Sequence, residues 1–154
     1  MNTFFIICCS YEKYESSDQP PVAGECVDGI STYTINGEEV QFECNGYHLL
    51  GHVSLEQMNA EYGNDCWGWT DPLTGKEYAL MGLDNGTGII DISDPFNPNY
   101  LGKIPTATLS STWRDIKVYK DHAFIVSEAA GHGMQIFNLS KVRDVIETQE
   151  FQPD

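Results

Sequence analysis

Four short stretches concentrate the residues able to hold or act on a ligand. "LDNG" carries Asp84 and Asn85, "TWRD" carries Trp113, Arg114 and Asp115, "SEAAGHG" carries Glu128 and His132, and "GNDC" carries Asn64 and Asp65. Together they offer carboxylate acceptors, a fixed fork of guanidinium donors, an imidazole and an indole face. That set suits recognition of a polar ligand. With an acid or base in reach of a substrate it would also suit proton-transfer chemistry. Each residue has a structural alternative. Asp-Asn-Gly is a turn sequence, Arg114 and Asp115 suit a bridge between neighbouring units, and Trp67 and Trp69 alternate along a strand as packing residues do.

Other chemistries fit less well. "HLLGH" spaces His48 and His52 as helical zinc sites do but lacks the glutamate of H-E-x-x-H. No G-x-S-x-G elbow occurs, and "GLDNGTG" lacks the lysine and following helix of a phosphate loop. Asp91 and Asp94 lack the acidic and glycine pattern of an EF-hand, and turn capping before Pro95 explains them. No metal site or cofactor is expected. Calcium is the ion that the carboxylate-bearing loops would accept. The net charge of -15, with 23 acidic against 8 basic residues, repels nucleic acid and anionic membrane surfaces and suits a soluble exterior.

The elements that must position these residues read as strands. "CWGWT", "EYALMGL", "TGIIDIS" and "NYLGKI" are short, β-rich and separated by "DPLTGK", Asp84-Asn85-Gly86 and "DPFNPN". "WRDIKVY", "HAFIVSE" and "GMQIFNLS" repeat the order around a tight turn at Lys120-Asp121. Ala79 and Ala123 lie about 44 positions apart and Asp91 and Asn138 about 47, the spacing of four-stranded propeller blades. "YHLLGHV" echoes "NYLGKI" and is expected as an outer strand. Short helices are expected only at "SLEQMNAE", where Ser54 and Gln57 form a capping-box pattern, and at "SKVRDVIE".

The phrases from "GNDCWGWTDPLTGKEYALMGLDNGTGIIDISDPFNPNYLGKIPT" through "SSTWRDIKVYKDHAFIVSEAAGHGMQIFNLSKVRDV" resemble the choice-of-anchor B family of surface proteins, with "GIIDISDPFNP" standing for its LVIVD repeat. The resemblance runs from about Cys26 to Arg143. It implies an exported β-propeller and brings no established catalytic residues. The expected fold is all-β: a partial propeller with an N-terminal segment over 26–63, a first blade over 64–106 and an incomplete second blade over 107–154. Propellers commonly close with about four to eight blades, so the chain reads as a fragment whose missing blades are its first partners. In that geometry Asn64, Asp65, Asp84, Asn85, Trp113, Arg114, Asp115, Glu128 and His132 share one rim, and "SDPFNPN" lies on the opposite face.

Residues 1–25 read as a clipped signal and polar linker. The apolar run Phe4–Ile7 is too short to span a bilayer, and Cys9, or Cys8 before it, stands where a lipoprotein signal carries its lipid acceptor. Membrane attachment is expected only through such a lipid. Cys26 and Cys44 flank a hairpin turning at Asn36-Gly37, and a bridge between them would contribute about 3 kcal/mol. Cys66 is expected as a buried thiol. These features point to an extracellular or cell-surface binding module for a protein or carbohydrate. The alternative is an extracellular propeller hydrolase or lyase using Glu128, His132, Asp115 and Arg114.

Overall fold

The computed structural model describes residues 24–35, 37–45 and 47–154. Cys8, Cys9 and most of the leader lie outside the described residues, as does Asn36 at the hairpin tip. Among the described residues, eleven strands form three sheets that do not close on themselves. The first sheet is the antiparallel set β1 (Cys26–Val27), β2 (Ile30–Ile35) and β3 (Glu38–Glu43). Gly37 at its turn takes φ 82°, a backbone conformation that glycine adopts without a Cβ penalty. The hairpin is closed by a Cys26–Cys44 disulfide with Cα atoms 5.9 Å apart. The all-β class and this pairing match the sequence expectation.

The second sheet is a meander of β4 (Gly63–Thr70), β5 (Glu77–Leu83), β6 (Gly86–Asp91) and β7 (Asn99–Pro105). β11 (Gln149–Glu150) adds to its far edge, parallel to β7. The third sheet is the meander β8 (Arg114–Tyr119), β9 (His122–Ser127) and β10 (Met134–Asn138). Alternation along β5 divides the core. Tyr78 and Leu80 face the third sheet with Ile89, Ile104, Ile116, Ile125 and Phe137. Ala79, Met81 and Leu83 face the opposite way, with Ile90, onto Val53 and Met58. Both faces of β5 and β6 are thus covered, which is why these strands read as near-continuous apolar runs.

Four local expectations are corrected. "YHLLGHV" forms no strand. Its one bridge joins Leu49 to Gly24, and Gly51 crosses the "DPFNPN" loop so closely that a Cβ would meet the Pro95 carbonyl oxygen at 2.4 Å. "SLEQMNAE" makes the expected capping box, Ser54 N–H to Gln57 Oε1 at 2.8 Å and Gln57 N–H to Ser54 Oγ at 3.1 Å. It then stops after one turn, with Asn59 at φ 47°. Cys66 is an exposed free thiol rather than a buried one. The expected helix after Ser140 is a single 3-10 turn, Leu139–Val142, capped by Asn138.

The "EFQPD" terminus contributes more than its composition announces. Phe151 is buried edge-on against Phe137 with ring centroids 5.5 Å apart. Gly102, at φ 137°, admits this strand: a Cβ there would stand 1.8 Å from the Gln149 carbonyl oxygen. Near the other side of the seam the Arg143 guanidinium grips Asp71 with both arms, Nε to Oδ2 at 2.9 Å and Nη2 to Oδ1 at 2.7 Å. Asp71 has no solvent exposure and also accepts from Thr74 Oγ1 and Leu73 N–H, which folds the "DPLTGK" turn around it. The Arg143 bond holds the Asp71 carboxyl well below the ordinary carboxylate range.

Asp71 therefore gives stability that is complete above about pH 4, its unfolded titration range, and is lost as acid protonates the folded carboxylate below that. Asp71→Asn should melt several degrees below the parent at pH 7, with the gap narrowing as pH falls toward 2 in thermal scans. A gap independent of pH would show that charge at Asp71 is not what binds Arg143.

Candidate functional site

The nine rim residues come to one end of the paired sheets, opposite the Asp71–Arg143 clamp. Their arrangement begins with the Asp84-Asn85 turn between β5 and β6. None of Asp84, Asn85 or Gly86 takes positive φ. Glycine is needed at 86 for space instead, because a Cβ there would meet the Ile104 carbonyl oxygen at 2.4 Å. Asp84 Oδ1 accepts the N–H groups of Glu61 and Tyr62 at 3.1 and 3.2 Å. The Asn85 amide donates to the Asn59 carbonyl at 2.7 Å and accepts from Lys103 Nζ at 2.6 Å. Main-chain bonds from Thr106 and Ser111 complete the hub. Burial pushes the Lys103 ammonium below its ordinary value.

Arg114 opens β8 and turns inward, with 2% of its surface exposed. Its Nε donates to the Leu83 carbonyl at 2.9 Å, Nη2 to Thr106 Oγ1 at 3.0 Å, and Nη1 meets His132 Nε2 at 3.0 Å. His132 Nδ1 meets the Gly133 carbonyl at 3.1 Å, so both contacts are satisfied together by the imidazole tautomer protonated at Nδ1. Among the described residues, no carboxylate forms an ion pair with Arg114. Burial lowers its pKa, and the charge of Asp84 opposes that shift.

Asn64 and Asp65 turn toward β8. Asn64 Nδ2 donates to the Arg114 carbonyl at 3.0 Å, and Asp65 Oδ2 accepts the Ile116 N–H at 2.7 Å. These side chains satisfy backbone groups along the β8 edge that another strand would otherwise meet. Lys117 Nζ lies 3.3 Å from Asp115 and 3.7 Å from Asp65, over the Trp67 ring at 4.4 Å.

The rim thus divides by accessibility. Arg114 and His132 are buried, and Asn64, Asp65, Asp84 and Asn85 are half-buried and engaged within the fold. Trp113, Asp115 and Glu128 are exposed. Glu128 N–H donates to the Trp113 carbonyl at 3.3 Å, leaving the Trp113 indole outside with 60% of the residue exposed. Beside the hub lies an open cleft of about 290 Å³ lined by Glu56, Asn59, Glu61, Asp84, Asn85 and Ser110. Its carboxylate and amide oxygens are acceptors for hydroxyl or ammonium donors. Among the described residues, no group of three or more His, Cys, Asp or Glu side chains is placed to hold a metal ion. Sequence reasoning missed Lys103, Thr106 and Lys117. Lys103 alone carried a signal, as a cation inside the apolar run of β7.

Removing the Arg114 guanidinium leaves three acceptors without their donors, and each such loss costs about 1–3 kcal/mol. Arg114→Met should therefore destabilise the chain by about 3 kcal/mol or more in urea unfolding, and Arg114→Lys should recover only part of it. Full recovery by lysine would show that charge alone, not the fork, holds this end.

In comparisons with known proteins, no protein family, curated protein or solved structure matches this chain, so the geometry carries the functional reading.

Proposed function

We propose that the chain is part of an exported β-propeller of the choice-of-anchor B, LVIVD-repeat type, acting as a binding module for a protein or carbohydrate at the Arg114 end of its sheets. The observation that carries this reading is the order β4–β7 followed by β8–β10. Two consecutive antiparallel meanders pack across one apolar seam, and their rim loops meet at one end. Radially stacked sheets of this kind expose ligand-facing loops at a common face.

The outer face of the third sheet supports the same reading. Tyr119, Val126 and Met134 are exposed there at 67, 41 and 56%. A neighbouring blade of the same protein covers such a face in a repeat architecture. The Cys26–Cys44 disulfide favours an oxidising compartment, hence an extracellular or cell-surface setting, with Cys9 or Cys8 as the lipid acceptor if the chain is anchored. Binding is favoured over turnover because Glu128 is exposed while His132 is buried with both ring nitrogens engaged.

Trp113 is the reporter of choice, since its side chain is exposed and its carbonyl accepts the Glu128 N–H. On glycan and peptide arrays, Trp113→Ala should weaken the captured ligand by about tenfold or more while leaving the melting temperature unchanged. Equal binding by parent and variant would remove the rim from consideration. Loss of binding on adding a chelator would add calcium to the site.

A further inference from the structure

The loop joining β9 to β10 spans residues 128–133 and turns on two glycines, Gly131 at φ 73° and Gly133 at φ 66°. A Cβ at either would meet nothing within 4 Å, so packing does not hold the turn. His132 is the one buried residue of the six, while Glu128, Ala130, Gly131 and Gly133 are exposed. Among the described residues, two hydrogen bonds carry this loop to the start of β8. Glu128 N–H donates to the Trp113 carbonyl at 3.3 Å, and Arg114 Nη1 meets His132 Nε2 at 3.0 Å. The His132 N–H stays local, on the Ala129 carbonyl at 3.0 Å, and Ala129 N–H binds Ser127 Oγ at 3.3 Å. The imidazole is the loop's side-chain anchor.

That anchor requires a neutral ring. With Nδ1–H donated to the Gly133 carbonyl, Nε2 keeps the lone pair that accepts the guanidinium N–H. A proton on Nε2 turns donor against donor and sets a second positive charge 3.0 Å from the first. The charged groups around the pair do not answer it. Asp84, on the β5–β6 turn, acts on the guanidinium through its field, while its Oδ1 is taken up by the Glu61 and Tyr62 N–H groups. Lys103 of β7 adds a further cation to the same hub, tied to Asn59 and Asn85. Gln135 of β10 is neutral and binds the Pro105 carbonyl. Glu128 is exposed, and among the described residues no carboxylate forms an ion pair with Arg114 or His132. Two unanswered cations in contact are costly wherever water is excluded.

We propose that the Arg114–His132 contact is an acid-sensitive latch: a proton at His132 Nε2 expels the imidazole and releases the 128–133 loop from Trp113 at the rim. Arginine keeps its proton throughout, so the histidine is the partner that yields. Its side chain is the one whose charge ordinarily changes between about pH 5 and 8. The core does not oppose the movement, because the other five loop residues are unburied and the ladder pairs Arg114–Ser127 and Val126–Met134 lie outside the loop. The loop movement stands on its own; that a ligand held through Trp113 leaves on acidification rests on the rim reading.

The test follows the full chain by NMR from about pH 7.5 to about pH 5, reading the His132 ring signals and hydrogen exchange at the Glu128 and His132 amides. Their protection, corrected for the intrinsic pH dependence of exchange, should fall by about tenfold or more, while the Ile125 amide keeps its own. The fall should share its midpoint with the His132 ring. His132→Gln has no proton to gain there and should lose the dependence. Protection that stays constant, that follows the rings of His48, His52 or His122 instead, or that falls equally in His132→Gln would overturn the proposal. The shared midpoint is read in the parent alone, so the outcome does not hang on the variant folding. Array capture at about pH 7.5, where the latch is closed, keeps failure of the rim reading separate from failure of the latch.

Discussion

A guanidinium at each end of one apolar seam, buried at Arg114 and half-buried at Arg143, fixes how the second and third sheets meet. Arg143 reaches across to Asp71, a fully buried carboxylate, so charge answers charge. Arg114 is answered by a carbonyl, a hydroxyl and an imidazole instead. Apolar packing between the ends supplies attraction without direction, because burying Ile116 against Leu80 and Ile89 tolerates sliding. The planar forks do not tolerate it, since each arm must find its acceptor at hydrogen-bond distance. Register between the sheets, and hence the position of every rim loop, follows from those two contacts.

The contrast between the ends has chemical consequences. A guanidinium without an adjacent carboxylate is costly to bury, and the fold offsets that cost with three directed acceptors and the field of Asp84. His132 is held in one tautomer by the same arrangement, with both ring nitrogens engaged inside the fold. The accessible surface at this end is Trp113, Asp115, Glu128 and the acidic cleft beside the Asp84-Asn85 turn.

Strands were legible wherever turn chemistry and alternation agreed. "EYALMGL" and "HAFIVSE" became β5 and β9, and the Asn-Gly turn led correctly to the disulfide. The convergence of the nine rim residues was legible too, because strand direction alone sets which loops share an end. Their engagement inside the fold was not, since the acceptors of Arg114 lie 31, 18 and 8 positions away along the chain. Cys66 failed for a different reason. Its expected burial rested on the general preference of a free thiol, whereas β4 is an edge strand of the second sheet and leaves Cys66 exposed. "YHLLGHV" failed because its fate depends on Gly51 meeting Pro95 and Pro98, a contact between segments that no local pattern encodes.

The same logic of edges explains why residues resembling a binding set serve structure first. Each sheet must dispose of its unpaired backbone groups, and this chain uses a different device at each edge. Asn64 and Asp65 lend side-chain groups to β8, while β11 covers β7 through the space that Gly102 leaves. A polar residue near a strand end is therefore recruited by the backbone before a ligand can claim it. With a net charge of -15, the exposed remainder favours ligands that donate hydrogen bonds or carry positive charge over anionic ones. On the binding reading proposed above, selectivity at this rim would come from the acidic field and an indole surface, with the buried arginine acting through the positions it imposes rather than through contact.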